Sequence, residues 1–335
     1  MRTLIFPEKY IPKLSQRETQ RAIKLIKDTF QAELATALNL DRITAPIIVK
    51  QGSGINDDLN GTERKVHFTM AEIDGSAEVV QSLAKWKRMA LYRYGYGEGE
   101  GIYADMNAIR RDDSADNTHS LFVDQWDWEK VICREDRTEE YLKNVVLTIV
   151  RALCKTQRLL NARYPILKNK ISEDVYFITS EELLRKYPDK TAKEREDIIT
   201  REHGTVFIMK IGAPLSNGES HDGRAPDYDD WSLNGDILVW NEVLGHALEI
   251  SSMGIRVDSE AMDRQLTARG ADERRVYPYH KMVLEDTLPL TIGGGIGQSR
   301  ICMLLLEKAH VGEVQSSVWP DEMIEACRAH GIVLL

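Results

Sequence analysis

The sequence has few cysteines, and their spacing matches neither a disulfide framework nor a cysteine-ligated metal site. Only four occur in 335 residues, and no two form a Cys-x-x-Cys pair or join a Cys/His cluster. Cys154 and Cys302 fall within apolar helical patterns, which indicates reduced thiols in a protein core. We therefore expect a protein of the cytoplasm.

Long apolar runs and long basic runs are also missing. No apolar stretch approaches the ~20 residues of a membrane-spanning helix, and segment 1–7 has too little apolar sequence for a signal peptide. The net charge is −9, and the densest basic stretch is the interrupted run 85–88. A partner held by its phosphate backbone favours a basic face. We therefore expect neither a membrane nor a nucleic acid as an obligatory partner.

Local patterns predict both helices and strands. A Ser15-x-x-Glu18 capping box precedes apolar residues at helical spacing, which predicts a helix over 16–39. The predicted strand 44–49 carries a proline and should lie near an edge or interface. Segments 65–70 and 76–80 predict a hairpin that turns at Asp74-Gly75.

The remaining elements alternate in a way that favours an α+β fold. Strands outnumber clean β-α-β units, so we expect an antiparallel sheet flanked by helices rather than a doubly wound parallel sheet. The segment 212–235, rich in Gly, Pro, Asp and Ser, predicts a loop. The other predicted elements are helices 85–92, 138–163, one beginning after Thr191, 259–270 and one after Pro320, and strands 101–109, 118–128, 175–179, 206–211, 236–241, 246–257 and 288–292.

A glycine-rich run from Gly293 to Arg300 joins the last predicted strand to an apolar helix over 301–306. It is not a dinucleotide fingerprint, because Gln298 stands where the third glycine belongs, and it lacks the Gly-Lys-Ser/Thr of a phosphate-binding loop. The pattern that remains is Gly-x-Gly-x-Gly-x-x-Arg. Such glycines let a strand lie flat beneath a planar ligand, and the arginine can stack on a base or oppose phosphate charge.

Four further segments place polar residues inside otherwise buried patterns, which is unusual unless they are paired or bind something. The first, 57–61, contains Asp57 and is also explained by a plain turn. The second, 81–88, contains Ser82 and Lys87, although a helical lysine is usually solvated. The other two segments are strand pairs.

The first strand pair covers 107–113 and 124–129. Its first strand ends near Arg110, and its second strand carries Gln125 and Asp127. Alternation puts those two residues on one face with apolar Leu121 and Val123, as in a sheet floor beneath a ligand. An exposed hairpin explains the same pattern.

The second strand pair carries an acid on each strand, Asp236 and Glu249. Two neighbouring carboxylates can hold Mg²⁺ against a triphosphate. Internal salt bridges with nearby arginines are the alternative.

Taken in order, these segments resemble the catalytic domain of aspartyl-tRNA synthetases, and the glycine run resembles the third signature motif of class II aminoacyl-tRNA synthetases. The resemblance is closer to a smaller family, the AMP-forming asparagine synthetase A or aspartate–ammonia ligase family. It extends over nearly the whole chain and rests on segments 82–88, 123–129, 224–230, 233–241, 251–258 and 293–300, which read SLAKWKR, VDQWDWE, RAPDYDD, LNGDILVWN, SSMGIRVD and GGGIGQSR.

The resemblance implies a class II synthetase-like catalytic core over 1–335, with an antiparallel sheet flanked by helices and no anticodon-binding domain. It implies synthesis of asparagine from aspartate, free ammonia and ATP through a β-aspartyl adenylate, with release of AMP and pyrophosphate and with Mg²⁺ as cofactor. It also implies a homodimer built on helix 16–39 and strand 44–49. The alternatives are a truncated aspartyl- or asparaginyl-tRNA synthetase-like paralogue and a non-catalytic regulator that binds aspartate or AMP.

The resemblance also implies roles for individual residues on the nucleotide side. Arg110 should grip the α-phosphate, and Arg300 should stack on adenine and counter the outer phosphates. Asp236 and Glu249 should hold Mg²⁺. Four further residues should lie near the nucleotide or the ammonia entry: Arg224, Asp229, Gly295 and Gly297.

On the amino-acid side, Lys87, Gln125 and Arg256 should hold the carboxylate ends of aspartate. Asp57 and Asp127 should face its ammonium group, and Asp57 is the candidate acceptor of the proton that ammonia must lose. Two serines, Ser82 and Ser252, complete the predicted pocket.

Overall fold

The computed structural model describes residues 4–57, 59 and 63–335. Its helices are α1 (Gln16–Leu38), α2 (Ala84–Tyr94), α3 (Glu139–Arg163), α4 (Ser180–Lys186), α5 (Ala192–His203), α6 (Ser259–Arg269), α7 (Pro278–Leu284), α8 (Gln298–Leu305) and α9 (Asp321–Ala329). Its strands are β1 (Leu40–Arg42), β2 (Ile48–Lys50), β3 (His67–Met70), β4 (Ile73–Val79), β5 (Gly101–Ile109), β6 (Phe122–Val131), β7 (Tyr176–Thr179), β8 (Thr205–Met209), β9 (Asp229–Asn241), β10 (His246–Arg256) and β11 (Thr291–Gly297).

The described strands form one large and one small sheet. The large sheet has the order β1-β5-β6-β11-β10-β9-β8-β7, and the small one has the order β2-β4-β3. Every pairing in the large sheet is antiparallel except the outermost pairs, β1–β5 and β7–β8. This confirms the predicted antiparallel sheet flanked by helices. In the described residues, no helix combines the length and apolar character needed to cross a membrane.

The main core lies between one face of the large sheet and helices α1, α3 and α8. Trp126 and Trp128 of β6 point into this core, and Phe30 of α1 packs on Trp126 with ring centroids 4.7 Å apart. Because side chains alternate along a strand, the neighbouring Gln125 and Asp127 face the opposite side. The helical layer therefore decides which sheet face is left for polar chemistry.

Helix boundaries follow the local signals closely. The capping boxes at Ser15 and Thr191 are both formed, and Gly270 ends α6 in the left-handed conformation. Helix α4 was not predicted, although it has its own capping box between Thr179 and Glu182.

Two predictions of local strand structure near the N-terminus are wrong in detail. Of the predicted strand 44–49, only its last two residues, Ile48 and Val49, pair in the small sheet, since Pro46 has no N–H to donate to a ladder. The hairpin over 67–79 exists, but its turn lies at Ala71-Glu72, and Asp74-Gly75 lies inside β4.

Three strand boundaries on the site side are also different from prediction. The strand predicted over 118–128 runs instead over β6, and the strand predicted over 288–292 runs through the glycines as β11. The predicted loop 212–235 ends at residue 228, because β9 begins at Asp229. The last two differences share a cause: the start of β9 and the whole of β11 are rich in Asp, Asn or Gly, which are rare in strands, and tertiary contacts override that preference.

His310 provides a pH-dependent contribution to stability that can be measured. Its Nδ1 accepts a hydrogen bond from the Gly312 N–H at 3.0 Å, and its ring packs against Trp319. Burial lowers the pKa of His310 from 6.5 to about 4, so the unfolded chain binds the proton more readily between these values. The free energy of unfolding should therefore fall as the pH drops through this window, by about 2 kcal/mol at about pH 5.

The matched variant is His310→Asn, which keeps an acceptor for the Gly312 N–H but does not titrate. Denaturant unfolding near pH 7 and near pH 5 should show a smaller acid-induced loss in the variant than in the wild type. An equal loss in both proteins would assign the effect to other groups.

Candidate active site

The floor of the site is a row of residues that crosses four neighbouring strands. Strand pairing places Asp127 of β6 opposite Gly295 of β11, Gly295 opposite Ser252 of β10, and Ser252 opposite Asp236 of β9. Residues directly opposite on paired strands face the same side of a sheet. The predicted amino-acid pocket and one predicted metal acid therefore share the face that lies away from the tryptophan core.

The glycines of β11 make room for side chains that lie across this floor. A Cβ at Gly293 would overlap the Glu129 carboxylate, and a Cβ at Gly295 would overlap the Gln125 carboxamide. A Cβ at Gly297 would only touch the Arg300 side chain, at 3.4 Å from its Cβ. Gly293 and Gly295 are thus needed for close packing of polar side chains over the strand.

A pocket opens above this floor and collects most of the residues predicted for aspartate binding. Nine predicted residues line it: Asp57, Ser82, Arg110, Gln125, Asp127, Asp229, Ser252, Arg256 and Gly295. They come from segments separated by up to 238 residues of sequence, from Asp57 to Gly295. The other lining residues, which the sequence analysis did not select, are Leu59, Ala84, Tyr228 and Gly294.

Lys87 lies beneath the pocket floor and does not line the pocket. Its ammonium group contacts the Asp127 carboxylate, lies 3.7 Å from Glu129, and donates to the Trp128 carbonyl at 2.9 Å. The side chain is 1% exposed. Lys87 is therefore separated from the pocket by Asp127, which lines it.

Arg256 completes a buried charge network with the same acids. It pairs with Glu129 at 2.8 Å and also contacts Asp229, while the Thr291 hydroxyl donates to Glu129 at 2.7 Å. Burial by itself would raise the pKa of Glu129, but Arg256 and Lys87 lower it overall. Glu129 therefore stays ionised and holds Arg256 at the pocket and Lys87 beneath its floor.

Asp236 and Glu249 form a second acidic cluster next to the pocket. Glu249 lies three residues before Ser252 and would face the core in a regular strand. A bulge in β10 between Glu249 and Ser251 shifts the register, so that Glu249 pairs with Leu238 on the Asp236 side of the sheet. The bulge is what brings the two acids to one face.

Arginines surround this acidic cluster. Arg224 donates to Asp236 at 2.6 Å and lies 3.8 Å from Asp229. Arg300, in the first turn of α8, donates to the Glu249 carbonyl at 3.0 Å and lies 3.8 Å from its carboxylate. The salt bridges considered as an alternative from sequence are therefore present in this structure.

The pKa values of the two acids reflect this crowding. Burial raises the pKa of Asp236; Arg224 opposes the rise, and the nearby Glu249 carboxylate adds to it. Burial acts in the same direction on Glu249, but Arg300 and other cations lower its pKa overall. A raised pKa on one of two neighbouring carboxylates shows that their negative charges are not fully compensated. Such a pair fits a site that a bound cation would complete.

Arg110 lies at the rim of the pocket, directly after β5. Its Nη2 lies 3.5 Å from the Gln81 carbonyl. The Arg110 side chain lines the pocket, whereas Arg300 does not. Arg110 and Arg300 thus stand at different parts of the site face.

Comparison with known proteins settles the family. Residues 17–331 match the family model described as Aspartate-ammonia ligase. The chain belongs to the aspartate–ammonia ligase family. Proteins named aspartate–ammonia ligase from Clostridium tetani and Levilactobacillus brevis are 57% and 54% identical to it over 333 residues, covering 99% of this chain and 98% and 99% of theirs.

Solved structures extend the likeness of this ligase-family chain to a wider fold. The asparaginyl-tRNA synthetase of Pyrococcus horikoshii, solved with asparaginyl-adenylate, superposes with a TM-score of 0.65 over 90% of this chain and 70% of that one. The Entamoeba histolytica enzyme with the same ligand gives 0.64 over 89% and 66%. Both are 16% identical to this chain, so the likeness shows the fold, which is that of class II aminoacyl-tRNA synthetases.

Tyr228 is the lining residue that a closer reading of the sequence would have found. It lies between two acids in the 224–230 segment, and a tyrosine there offers both an apolar ring and a hydroxyl group to a ligand. Its ring lies 5.8 Å from the Arg256 guanidinium carbon. Leu59 and Ala84 carry no such signal.

Proposed function

We propose that this protein makes L-asparagine from L-aspartate, ammonia and ATP through an enzyme-bound β-aspartyl adenylate. A carboxylate resists attack by ammonia because its leaving group would be oxide. In the first step a side-chain carboxylate oxygen bonds to the α-phosphorus and pyrophosphate leaves. In the second step the ammonia nitrogen bonds to the acyl carbon, AMP leaves, and the nitrogen loses a proton to a base.

The observation that carries this proposal is the pocket in which opposite charges stand close together. Arg256 and Gln125 offer hydrogen-bond donors for carboxylates, and Asp57 and Asp127 offer acceptors for an ammonium group. An amino dicarboxylate needs both kinds of partner. Arg110, on the same pocket, would bind the α-phosphate next to the reacting carboxylate, so that positioning and charge neutralisation supply most of the acceleration.

The second acidic cluster fits Mg²⁺ bound with ATP. Asp236 and Glu249 would hold the ion, which when bound offsets the negative charge of the triphosphate. Arg300 would stack on adenine and counter the outer phosphates, and Arg224 would turn from Asp236 toward them. Gly295 and Gly297 would form part of the floor beside the nucleotide.

Ammonia is the nitrogen source in this proposal, and Asp57 would take its proton. Ammonium itself is not nucleophilic, so a carboxylate at the acceptor side of the pocket has to accept a proton before or during attack. Asp57 is buried, lines the pocket and lies outside the strands of the sheet floor. That placement lets it face the reacting carbon from outside the row of β-strand residues.

The test is an assay with ATP, Mg²⁺, aspartate labelled with ¹⁸O in its side-chain carboxylate, and ammonium, with and without tRNA. Asparagine should form without tRNA, and the label should appear in AMP. Label only in pyrophosphate or phosphate would rule out the adenylate. Activity that requires tRNA would favour the synthetase-like paralogue, and binding without turnover would favour the regulator.

We also propose a cytoplasmic homodimer, in which the small sheet and α1 contribute to a two-fold interface. Ile47, Ile48 and Phe68 are 59%, 39% and 40% exposed on or beside the small sheet. Isologous interfaces are the commonest kind and bury such patches. Sedimentation at micromolar concentration should give a dimer, and Ile47→Glu should shift it toward monomer.

The control for this interface is Val318→Glu, at a side chain that is 77% exposed in the segment before α9. This variant should stay dimeric. A wild-type monomer, or equal dissociation of both variants, would contradict the proposed interface.

A further inference from the structure

Asp227 lies behind the pocket, where three side chains converge on one of its oxygens. Lys85 Nζ lies 3.1 Å from Oδ2, and Arg274 Nη1 and His280 Nε2 each lie 2.9 Å from it. Asp227 is 0% exposed and Lys85 is 2% exposed. Burial would raise the pKa of Asp227, but Lys85 and His280 lower it overall, so the group is a carboxylate at neutral pH.

This carboxylate joins two segments that line the pocket. Asp227 directly precedes Tyr228 and Asp229, and Lys85 directly follows Ala84 at the start of α2. Tyr228, Asp229 and Ala84 all line the pocket. The Lys85–Asp227 ion pair therefore ties the wall that carries Tyr228 to α2 from the side away from the ligand.

Tyr228 needs such a tie because its segment has no regular ladder. Residues 221–228 lie outside helices and strands. Their backbone is supported at separate points: Gln265 Nε2 donates to the Pro226 carbonyl at 3.0 Å, and the Val257 N–H donates to the Tyr228 carbonyl at 2.9 Å. None of these bonds reaches α2, whereas the Asp227 side chain does.

Stability alone is a weak reason for this arrangement. Replacing a buried ion pair by well-packed apolar side chains is often neutral or stabilising, because the pair loses its hydration. What an ion pair adds is a fixed geometry between its two backbones. Here those backbones belong to two walls of one pocket.

We propose that Asp227 is a positioning residue which, through Lys85, fixes the Tyr228 wall against α2 and so fits the pocket to a four-carbon amino dicarboxylate. This rests on the proposed function, since aspartate is the ligand concerned. Asp227 does not line the pocket, so its loss should act on aspartate affinity and on the choice between aspartate and glutamate through the position of the pocket wall. One methylene distinguishes those two, and fit in a rigid pocket is the means of telling them apart.

The test variant is Lys85→Met, which keeps most of the stem and removes the charge. Asp227 retains Arg274 and His280, so no buried carboxylate is left alone. Calorimetry should show aspartate binding weakened at least about tenfold and the preference for aspartate over glutamate reduced, with ATP binding unchanged within about twofold. Unaltered aspartate binding and unaltered preference would overturn the proposal.

The matched control is Lys308→Met, which removes another buried lysine, 3.8 Å from Glu313 and outside the pocket. It should leave aspartate affinity unchanged. Equal losses in the two variants would assign the effect to general destabilisation and overturn the proposal.

Asp227→Asn provides a second, independent arm that keeps the shape of the side chain. If Asp227 and Lys85 act through each other, the double variant should bind aspartate only slightly more weakly than the single variant with the larger loss. Additive losses of affinity would contradict a coupling between the two residues. Failure of the wild type to make asparagine would remove the proposed function. If the wild type makes asparagine and both single variants bind aspartate as the wild type does, only the positioning role of Asp227 is contradicted.

Discussion

Lys87→Met should abolish aspartate-dependent exchange of pyrophosphate into ATP, a reaction that needs no ammonia. The buried ammonium of Lys87 contacts Asp127 and lies 3.7 Å from Glu129 directly under the pocket floor. Without it, uncompensated negative charge would stand beside the incoming carboxylates, in a site where repulsion is far stronger than in water. An uncompensated unit charge about 4 Å from the reacting carboxylate costs about 4 kcal/mol at an effective dielectric constant of about 20, which corresponds to a loss of about a thousandfold in the exchange rate.

The exchange should be measured below the unfolding temperature of the variant, together with ATP binding. Lys308→Met is again the control, because it removes a buried, paired lysine elsewhere and should keep the exchange. Retention of more than about a tenth of the wild-type exchange by Lys87→Met would show that the charge beneath the floor is not required for the first step.

Gly295→Ala should close the aspartate pocket without unfolding the protein. A Cβ at this position would overlap the Gln125 carboxamide, which is the free end of a flexible side chain and can turn away. The displaced side chain would then occupy or leave the pocket that it now lines. Loss of a hydrogen bond to a charged group costs about 1.5–3 kcal/mol, so KM for aspartate should rise about 10- to 100-fold.

Two further variants separate this mechanism from general damage. If the added methyl group acts by displacing Gln125, then Gly295→Ala with Gln125→Ala should be no worse than Gln125→Ala alone. Gly294→Ala should behave differently, because its Cβ would meet the main chain of β10 at Ser252 and Met253. That variant should lower the free energy of unfolding. A normal KM for aspartate in Gly295→Ala would contradict the assignment.

Much of the site could be selected from sequence because its residues interrupt buried patterns. Gln125 and Asp127 alternate with Trp126 and Trp128 on one strand, and alternation alone assigns the two pairs to opposite faces. Arg300 follows a glycine run that is typical either of a strand lying beneath a ligand or of a turn. The capped starts of α1 and α5 likewise depend on residues that are neighbours in sequence. The roles of all these residues in catalysis remain predictions.

Other features depend on contacts between distant segments and could not be read locally. Glu249 lies on the same face as Asp236 only because of the bulge in β10, and no residue of that strand predicts a bulge. Lys87 matched an expected substrate ligand in sequence, but the fold places it beneath the floor against Asp127 and Glu129. The start of β9 at Asp229 was not predicted for a similar reason. Its first residues are acidic, which is typical of a loop, and only the folded structure pairs Asp229 with Arg256.

The sequence by itself determined the family, the α+β class and the set of polar residues that chemistry requires, because these depend on residue identity and on periodicity along one chain. Only the tertiary structure decided which of those residues meet. It gathered nine of them around one pocket, separated Arg300 and Glu249 into a neighbouring cluster, and tied Lys85 to Asp227 across 142 residues of sequence. The physical reason is that strand register, bulges and buried charge pairing are set by the packing of segments that are distant in sequence, and no local pattern contains that information.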